Sequence, residues 1–404
     1  MKPKSLFIIG LILSGIVVMV GTAWAFQRGG QDFLVFYSAW RLVLDGKGSE
    51  IYIHSPDRFL YAPGFAWLLC PLALLPFKAA LAVWCFAKAA ALGVGIRSFL
   101  KLPDRHSYAD YALGWFALPL LMRPVLIDFQ YGQVNIFILV ICILAMTRHF
   151  KGKIKSLLID FLLWFLLALA AVTKLFVTPL LLVPWIARAG VNSKKLKTEK
   201  TAVFLGLFSG LCSPVFTEGF LGMVDLMAGW RDAIIAKGLP LESHNQSFIA
   251  FLYHFFSGKP TQVLSEGGAR LDLGYALLSL ENITVLSIIW SAIFLVLICY
   301  WLFFASKKPL SRWIAVCVGL LIIPSHLVWK PYFVMGIPLA AVAIKNLYPR
   351  WYLIVALFIA INLTGFDFVG HGWAPKLEAA SWSLWMHFIL IFIALIGKKK
   401  GETA

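Results

Sequence analysis

Apolar runs long enough to cross a lipid bilayer recur along this chain, and they decide what it can fold into. Residues 6–26 carry no charge at all, and a hydrocarbon core about 30 Å thick takes about 20 apolar residues in helical form. Comparable runs follow at roughly 79–97, 110–127, 133–147, 156–173, 175–187, 201–217, 283–304, 313–328, 332–344, 351–365 and 383–396. A water-soluble chain of 404 residues could not bury a 61% hydrophobic, 14% charged composition in one core. The expectation is an all-α polytopic membrane protein. Lys2 and Lys4 before the first run resemble the basic start of a secretion signal. The run is longer than a signal's apolar core and lacks a small-x-small cleavage site, so it reads as a retained helix.

A further segment, YAPGFAWLLCPLALLP at 61–76, could add a thirteenth crossing. Counting sides decides against it. If 61–76 crosses, the clusters Arg148, Lys151, Lys153, Lys155 and Lys194, Lys195, Lys197, Lys200 fall outside. If it only dips in, every basic cluster shares the side of Lys2 and Lys4. Cytoplasmic segments then hold 22 Lys and Arg against 5 Asp and Glu, while external segments hold 13 against 14. Basic residues near span ends set orientation, so the second arrangement wins. Prolines at 63, 71 and 76 also suit a broken, re-entrant helix. The net charge of +17 is therefore a topology signal, and no nucleic-acid partner is expected.

The reading is about twelve spans with both ends cytoplasmic, residues 1–404 forming a single integral membrane domain. Two of its external loops are large, 27–60 and, between the seventh and eighth spans, 218–282. No internal repeat is evident, which withholds support from the inverted-repeat plan of many transporters. The six cysteines, at 70, 85, 142, 212, 299 and 317, all sit in apolar runs, so neither a disulfide framework nor a thiolate metal site is legible.

Polar groups at membrane depth are costly and mark cavities. Here they cluster on the external side: Arg123, Asp128, Gln130, Gln133 and Asn135 around one corner, Lys174 between two tightly spaced spans, His244, Asn245, Gln246 and Ser247 in the second large loop, and His326 and Lys330 in PSHLVWKPY. Each has a plain structural explanation. A single Lys or Arg snorkels to headgroups, Asn and Gln bond neighbouring helices, and Arg123 could simply pair with Asp128. Asp32 in GGQD could cap a short interfacial helix. Their common side is harder to explain away. A cation-rich external cavity suits an anionic, phosphate-bearing ligand.

At this point the motifs resemble glycosyltransferase family 87, the polyprenol-phosphate-mannose-dependent mannosyltransferases of GT-C fold. QDFLVFYSAWRLVLDGKGSEIY followed by FLYAPGFAWLLCPLALLP is similar to the family's opening, in which an acid after the first helix precedes an aromatic helix and a Tyr-Pro-Pro re-entrant helix. RPVLIDFQYGQVNIFIL (123–139) resembles its Arg-Pro and Gly-Gln-x-Asn corner, AAVTKLFVTPLLL (170–182) its Lys-x-x-x-Pro span pair, NQSFIAFLYHFF (245–256) its Asn-Gln-Ser loop, and PSHLVWKPYFVMGIP (324–338) its Ser-Pro-x-x-Trp-x-His corner. Departures exist. Tyr-Pro-Pro reads Tyr61-Ala62-Pro63, Ser-Pro reads Ser325-His326, and the histidine after the tryptophan is Pro331 with Lys330 beside it.

The resemblance implies an inverting transfer of a hexose, mannose in that family, from a polyprenyl-phosphate donor to a lipid or glycan acceptor, without a metal or other cofactor. It implies Asp32 as general base, and Tyr61, Arg123, Asp128, Gln133, Asn135, Lys174, His244, Asn245, Gln246, His326 and Lys330 as substrate-binding residues. The family uses the last corner to hold the donor phosphate, so here the cation would come from His326 or Lys330. It also implies a monomer in a bacterial cytoplasmic membrane, among membrane lipids, with its site facing outward. Two other classes stay open, a transporter or lipid flippase and an O-antigen-ligase-like transferase. The second leans on loop arginines, of which 218–282 holds only Arg231 and Arg270.

Overall fold

The computed structural model of the chain describes residues 2–53, 59–102, 107–151, 156–187, 191–238, 241–263, 269–304 and 309–396. Lys153 and Lys155, counted above among the cytoplasmic charges, lie outside the described residues, as do parts of both large loops. Nearly everything described is helical, apart from one two-stranded antiparallel ribbon, Thr261–Val263 with Ala269–Leu271. The all-α expectation holds at that level, and the chain is an integral membrane protein.

The helices are less regular than hydropathy suggests. Among the described residues, Pro3–Arg28, Phe77–Leu100 and Leu280–Phe303 are each long and apolar enough to cross a bilayer. Three more candidates are bent pairs: Tyr108–Leu120 with Met122–Tyr131 at 61°, Ser193–Cys212 with Val215–Lys237 at 75°, and Trp351–Asn362 with Asp367–Ala379 at 63°. The other apolar helices run 10–17 residues. At 1.5 Å per residue, a 12-residue piece reaches only about 18 Å. Proline explains part of this. Pro179 sits inside the tight 3-10 segment Leu175–Leu182, and Pro331 opens another at Lys330–Gly336. A ring without an N–H cannot sustain the α-helical ladder.

Contacts divide the chain into two compact units, one of residues 1–20, 96–128 and 239–404, the other of 21–95 and 129–238. In the second, Gly29 and Gly30 take left-handed backbone (φ 77° and 52°) and start the helix Gln31–Leu44. Phe33, Phe36 and Trp40 recur at helical spacing and bury one face. That face meets Phe65, Trp84 and Tyr61 in an aromatic slab, with Phe36 to Tyr61 at 4.9 Å and Phe33 to Trp84 at 5.6 Å between ring centres. Pro63 opens the helix Pro63–Leu69, and beside it Gly64 lies so close to the backbone of Gly210 that no Cβ fits. Gly206 in turn rests against the carbonyl of Phe165. Small residues are what let membrane helices approach this closely. Also in this unit Arg148 pairs with Asp160 at 2.6 Å, His149 meets Glu199 at 2.8 Å, and Lys195 donates to the carbonyl of Arg148.

The first unit packs Leu310–Leu320, Ile337–Leu347 and Trp382–Ile396 around fully buried aliphatics such as Ile314, Leu339 and Leu384. His387 reaches the carbonyl of Gly319 at 2.8 Å. Asn362 ties two corners together. Its Oδ1 accepts from the Arg123 amide at 2.8 Å and its Nδ2 donates to the Leu120 carbonyl at 3.1 Å.

Candidate functional site

The singled-out polar residues fall into two groups, one within each unit. In the second unit Asp32 lies in the first turn of Gln31–Leu44, where the exposed amides of a helix start favour a carboxylate. It is not the cap. Gly30 holds that position, and no side chain caps the helix. The carboxylate is half-buried and takes a 2.6 Å hydrogen bond from Nε2 of Gln133. Gln133 is itself 2% exposed, and its Oε1 accepts from the Val134 amide. The corner that presents it is fixed by Gly132, whose φ of 68° and close approach to Phe33 exclude any side chain. The Gly132 carbonyl accepts from Trp84 Nε1 at 2.8 Å. Sequence spacing of 101 residues thus becomes one hydrogen bond because an aromatic helix and a glycine corner share a packing surface.

One turn beyond Asp32, Phe36 meets Tyr61, and the Lys174 ammonium stands 5.1 Å over the Tyr61 ring. Tyr61 is held from behind, since its carbonyl accepts from the Tyr52 hydroxyl at 2.7 Å. Lys174 sits at the end of Leu157–Thr173 in extended backbone, which turns its side chain off the helix. Asn135 is fully buried at the start of Asn135–Phe150.

In the first unit, Asn245 and Gln246 are completely buried and bond mainly to backbone. Asn245 Oδ1 accepts from the amides of Val328 and Ser247, and its Nδ2 donates to the His326 carbonyl. Gln246 Nε2 donates to the Glu378 carbonyl at 2.6 Å, and its own amide N–H donates to the Val328 carbonyl. This loop therefore pins the Ser325–Pro331 corner in place. His326 then meets Ser291 at 3.1 Å through Nε2. Asp128 is fully buried, and Arg123 bridges to Asp367 at 3.2 Å, with the arginine 14% and the aspartate 73% exposed.

Lys330 is the corner's buried cation. Its ammonium pairs with Glu378 and donates to the Thr364 carbonyl at 3.0 Å. His244 Nδ1 stands 3.7 Å from the other Glu378 oxygen. Burial pushes Lys330 below the usual lysine range, Glu378 pulls it back up, and Arg123 pushes it down again. Burial likewise lowers His244, against the pull of Glu378. Arg123, Lys330, Thr364 and Ser383 border a narrow crevice with room for little more than a water molecule. Sequence reasoning missed Glu378, Asp367 and Asn362. Glu378 had a signal, an isolated acid in the KLEAASWS stretch just before the last apolar run.

Among the described residues no group of three or more His, Cys, Asp or Glu is arranged to hold a metal ion. Comparison with known proteins adds the lineage. The model of glycosyltransferase family 87 matches residues 59–328, well over half of the chain. Asp32 precedes that stretch, and Lys330 and Glu378 follow it. Over 143 residues the chain is 31% identical to a polyprenol-phosphate-mannose-dependent alpha-(1-2)-phosphatidylinositol pentamannoside mannosyltransferase of Mycolicibacterium smegmatis. That similarity covers 32% of this chain and 35% of the relative, so the chain spans about a third of the relative's length. No solved structure matches the chain. The extent of the family match carries the conclusion that this chain belongs to glycosyltransferase family 87.

Proposed function

We propose that the protein is an inverting glycosyltransferase that moves a hexose from a polyprenyl-phosphate carrier to an acceptor hydroxyl on a lipid or glycan. Mannose is the proposed sugar, the one named for the Mycolicibacterium smegmatis relative. The site is proposed to face the outside of a bacterial cytoplasmic membrane. The observation that carries this reading is the Asp32–Gln133 hydrogen bond at 2.6 Å, which holds a half-buried carboxylate in one orientation in a chain of this family.

In the proposed mechanism Asp32 takes the proton of the acceptor hydroxyl as its oxygen attacks the anomeric carbon. Attack comes from the face opposite the phosphate, the carbon–oxygen bond to phosphate breaks, and polyprenyl phosphate leaves with the bonding pair. Negative charge grows on the departing oxygen, and preorganised cations lower its energy. Lys174, which stands over Tyr61 in the same unit as Asp32, is the candidate for that role; in the first unit Lys330, Arg123 and His326 form a polar corner, the candidate holder of the carrier phosphate. Gln133 orients Asp32, and Tyr61 supports Lys174.

The test is transfer of label from radiolabelled polyprenyl-phosphate mannose into membrane acceptors, comparing membranes with the protein, without it, and with Asp32→Asn. Asn matches Asp in size but accepts no proton, so transfer is expected to fall about 10²–10⁴-fold. Equal transfer by wild type and Asp32→Asn would remove the assignment of the base.

A further inference from the structure

Glu378 lies beyond the family match and outside the motifs of the sequence reading, yet it is the acid around which the Lys330 corner is organised. Its side chain is completely buried. One oxygen pairs with the Lys330 ammonium, and the other faces His244 Nδ1 at 3.7 Å. Its backbone is fixed as well, because the Glu378 carbonyl accepts from Gln246 Nε2 and from the Ser381 amide at 2.8 Å. Lys330 itself borders the crevice with Arg123, Thr364 and Ser383, beside apolar walls that include Phe333, Ile361 and Met386.

We propose that Glu378 is the positioning residue of the Lys330 corner, one carboxylate oxygen fixing the ammonium where the donor phosphate is read to bind while its second oxygen faces His244. This rests on the donor reading given under Proposed function. A buried ammonium without an opposing charge gives up its proton readily, and a neutral amine offers an anion little. The charged and titratable groups around it are Glu378, His244 with Glu242 behind it, Arg123 with its exposed partner Asp367, and His387 on the crevice wall. Of these, Glu378 makes the direct contact that favours the ammonium.

The sign follows directly. Lys330 is a cation below its pKa and neutral above it. Removing the Glu378 charge lowers that pKa, so the cation is lost as pH rises through the lower value. In the Glu378→Gln protein the donor KM is therefore expected to climb about tenfold per pH unit above a pH at which wild type still holds its affinity, with kcat changing less. The experiment is the pH dependence of KM for short-chain polyprenyl-phosphate mannose in detergent, on full-length protein that stays monodisperse. In Lys330→Arg/Glu378→Gln the limb is expected to vanish, since a guanidinium does not titrate there. Glu378→Asp keeps the charge and is expected to keep the wild-type limb even if its KM is higher. This second variant retains the test if Glu378→Gln does not fold. A wild-type limb in Glu378→Gln, a persistent limb in the double variant, or a limb moved down in Glu378→Asp would each overturn the role of Glu378. An unchanged KM in Lys330→Ala would overturn the donor placement itself, and this proposal with it.

Discussion

Gln133 Nε2 lies 2.6 Å from Asp32 Oδ2, joining the residues that open the first large loop to a corner 101 positions later in the chain. The glutamine is buried and its side-chain oxygen accepts from a backbone amide. It therefore cannot rotate away without leaving a buried polar atom unmet. Removing the donor by Gln133→Leu is expected to release the carboxylate from its fixed orientation and lower kcat by about tenfold or more, which is the scale of one hydrogen bond of 1.5–3 kcal/mol to a charged group. Donor KM should change much less. A Gln133→Leu protein with unaltered kcat would show that the contact does not orient the base.

Gly132 makes that contact possible through backbone alone. A Cβ there would fall 2.5 Å from the Cβ of Phe33, at a φ of 68° that L-residues adopt only at a cost of about 1–2 kcal/mol. Gly132→Ala is therefore expected to lower the melting temperature in detergent and to reduce transfer, because the corner must move off Phe33 and carry Gln133 with it. Activity falling with no change in melting temperature would also fit displacement. Wild-type values of both would not.

How much of this was legible in the sequence differs between the parts. The membrane character and helical class follow from apolar runs, and Asp32 stands out as an acid just past the first of them. Gly132 and Gln133 were visible as a motif, but not that the amide would face Asp32, because that depends on Phe33 and Trp84 packing on the glycine corner. The regular helices expected at 175–187 and 332–344 open instead in tight 3-10 segments. Hydropathy averages over a window and does not register where a proline interrupts the hydrogen-bond ladder. Asp128 was the partner nearest to Arg123 in sequence, whereas the fold gives it Asp367, 244 positions away. Glu378 escaped notice because an isolated acid acquires meaning only when Lys330 is folded against it.

Asn245 is expected to act through stability. Its side chain satisfies two amides, of Ser247 and Val328, and one carbonyl, of His326, in a fully buried position. Asn245→Ala strands all three, and each buried group left unmet costs about 1–3 kcal/mol. The corner holding Lys330 should loosen, seen as a clear fall in thermal stability and a higher donor KM together. Asn245→Asp keeps the acceptor for both amides and should be less damaging. Equal stability of the alanine variant and wild type in a detergent thermal-shift assay would contradict this role.

The final expectation concerns sidedness, and it follows from charge. The tally of 22 basic residues against 13 assigns the loops containing Arg148 and Lys195 to the cytoplasm and the segment after Gly30 to the outside. Ser193 and Ser49 are both exposed, so a cysteine at either is open to reagent. In a background lacking the six native cysteines, Ser49→Cys is expected to react with a membrane-impermeant maleimide on intact cells, and Ser193→Cys only after permeabilisation. Were 61–76 a full crossing, every side after it would invert and both positions would label from outside. Labelling of both on intact cells would therefore refute the twelve-span arrangement and return 61–76 to the count of crossings.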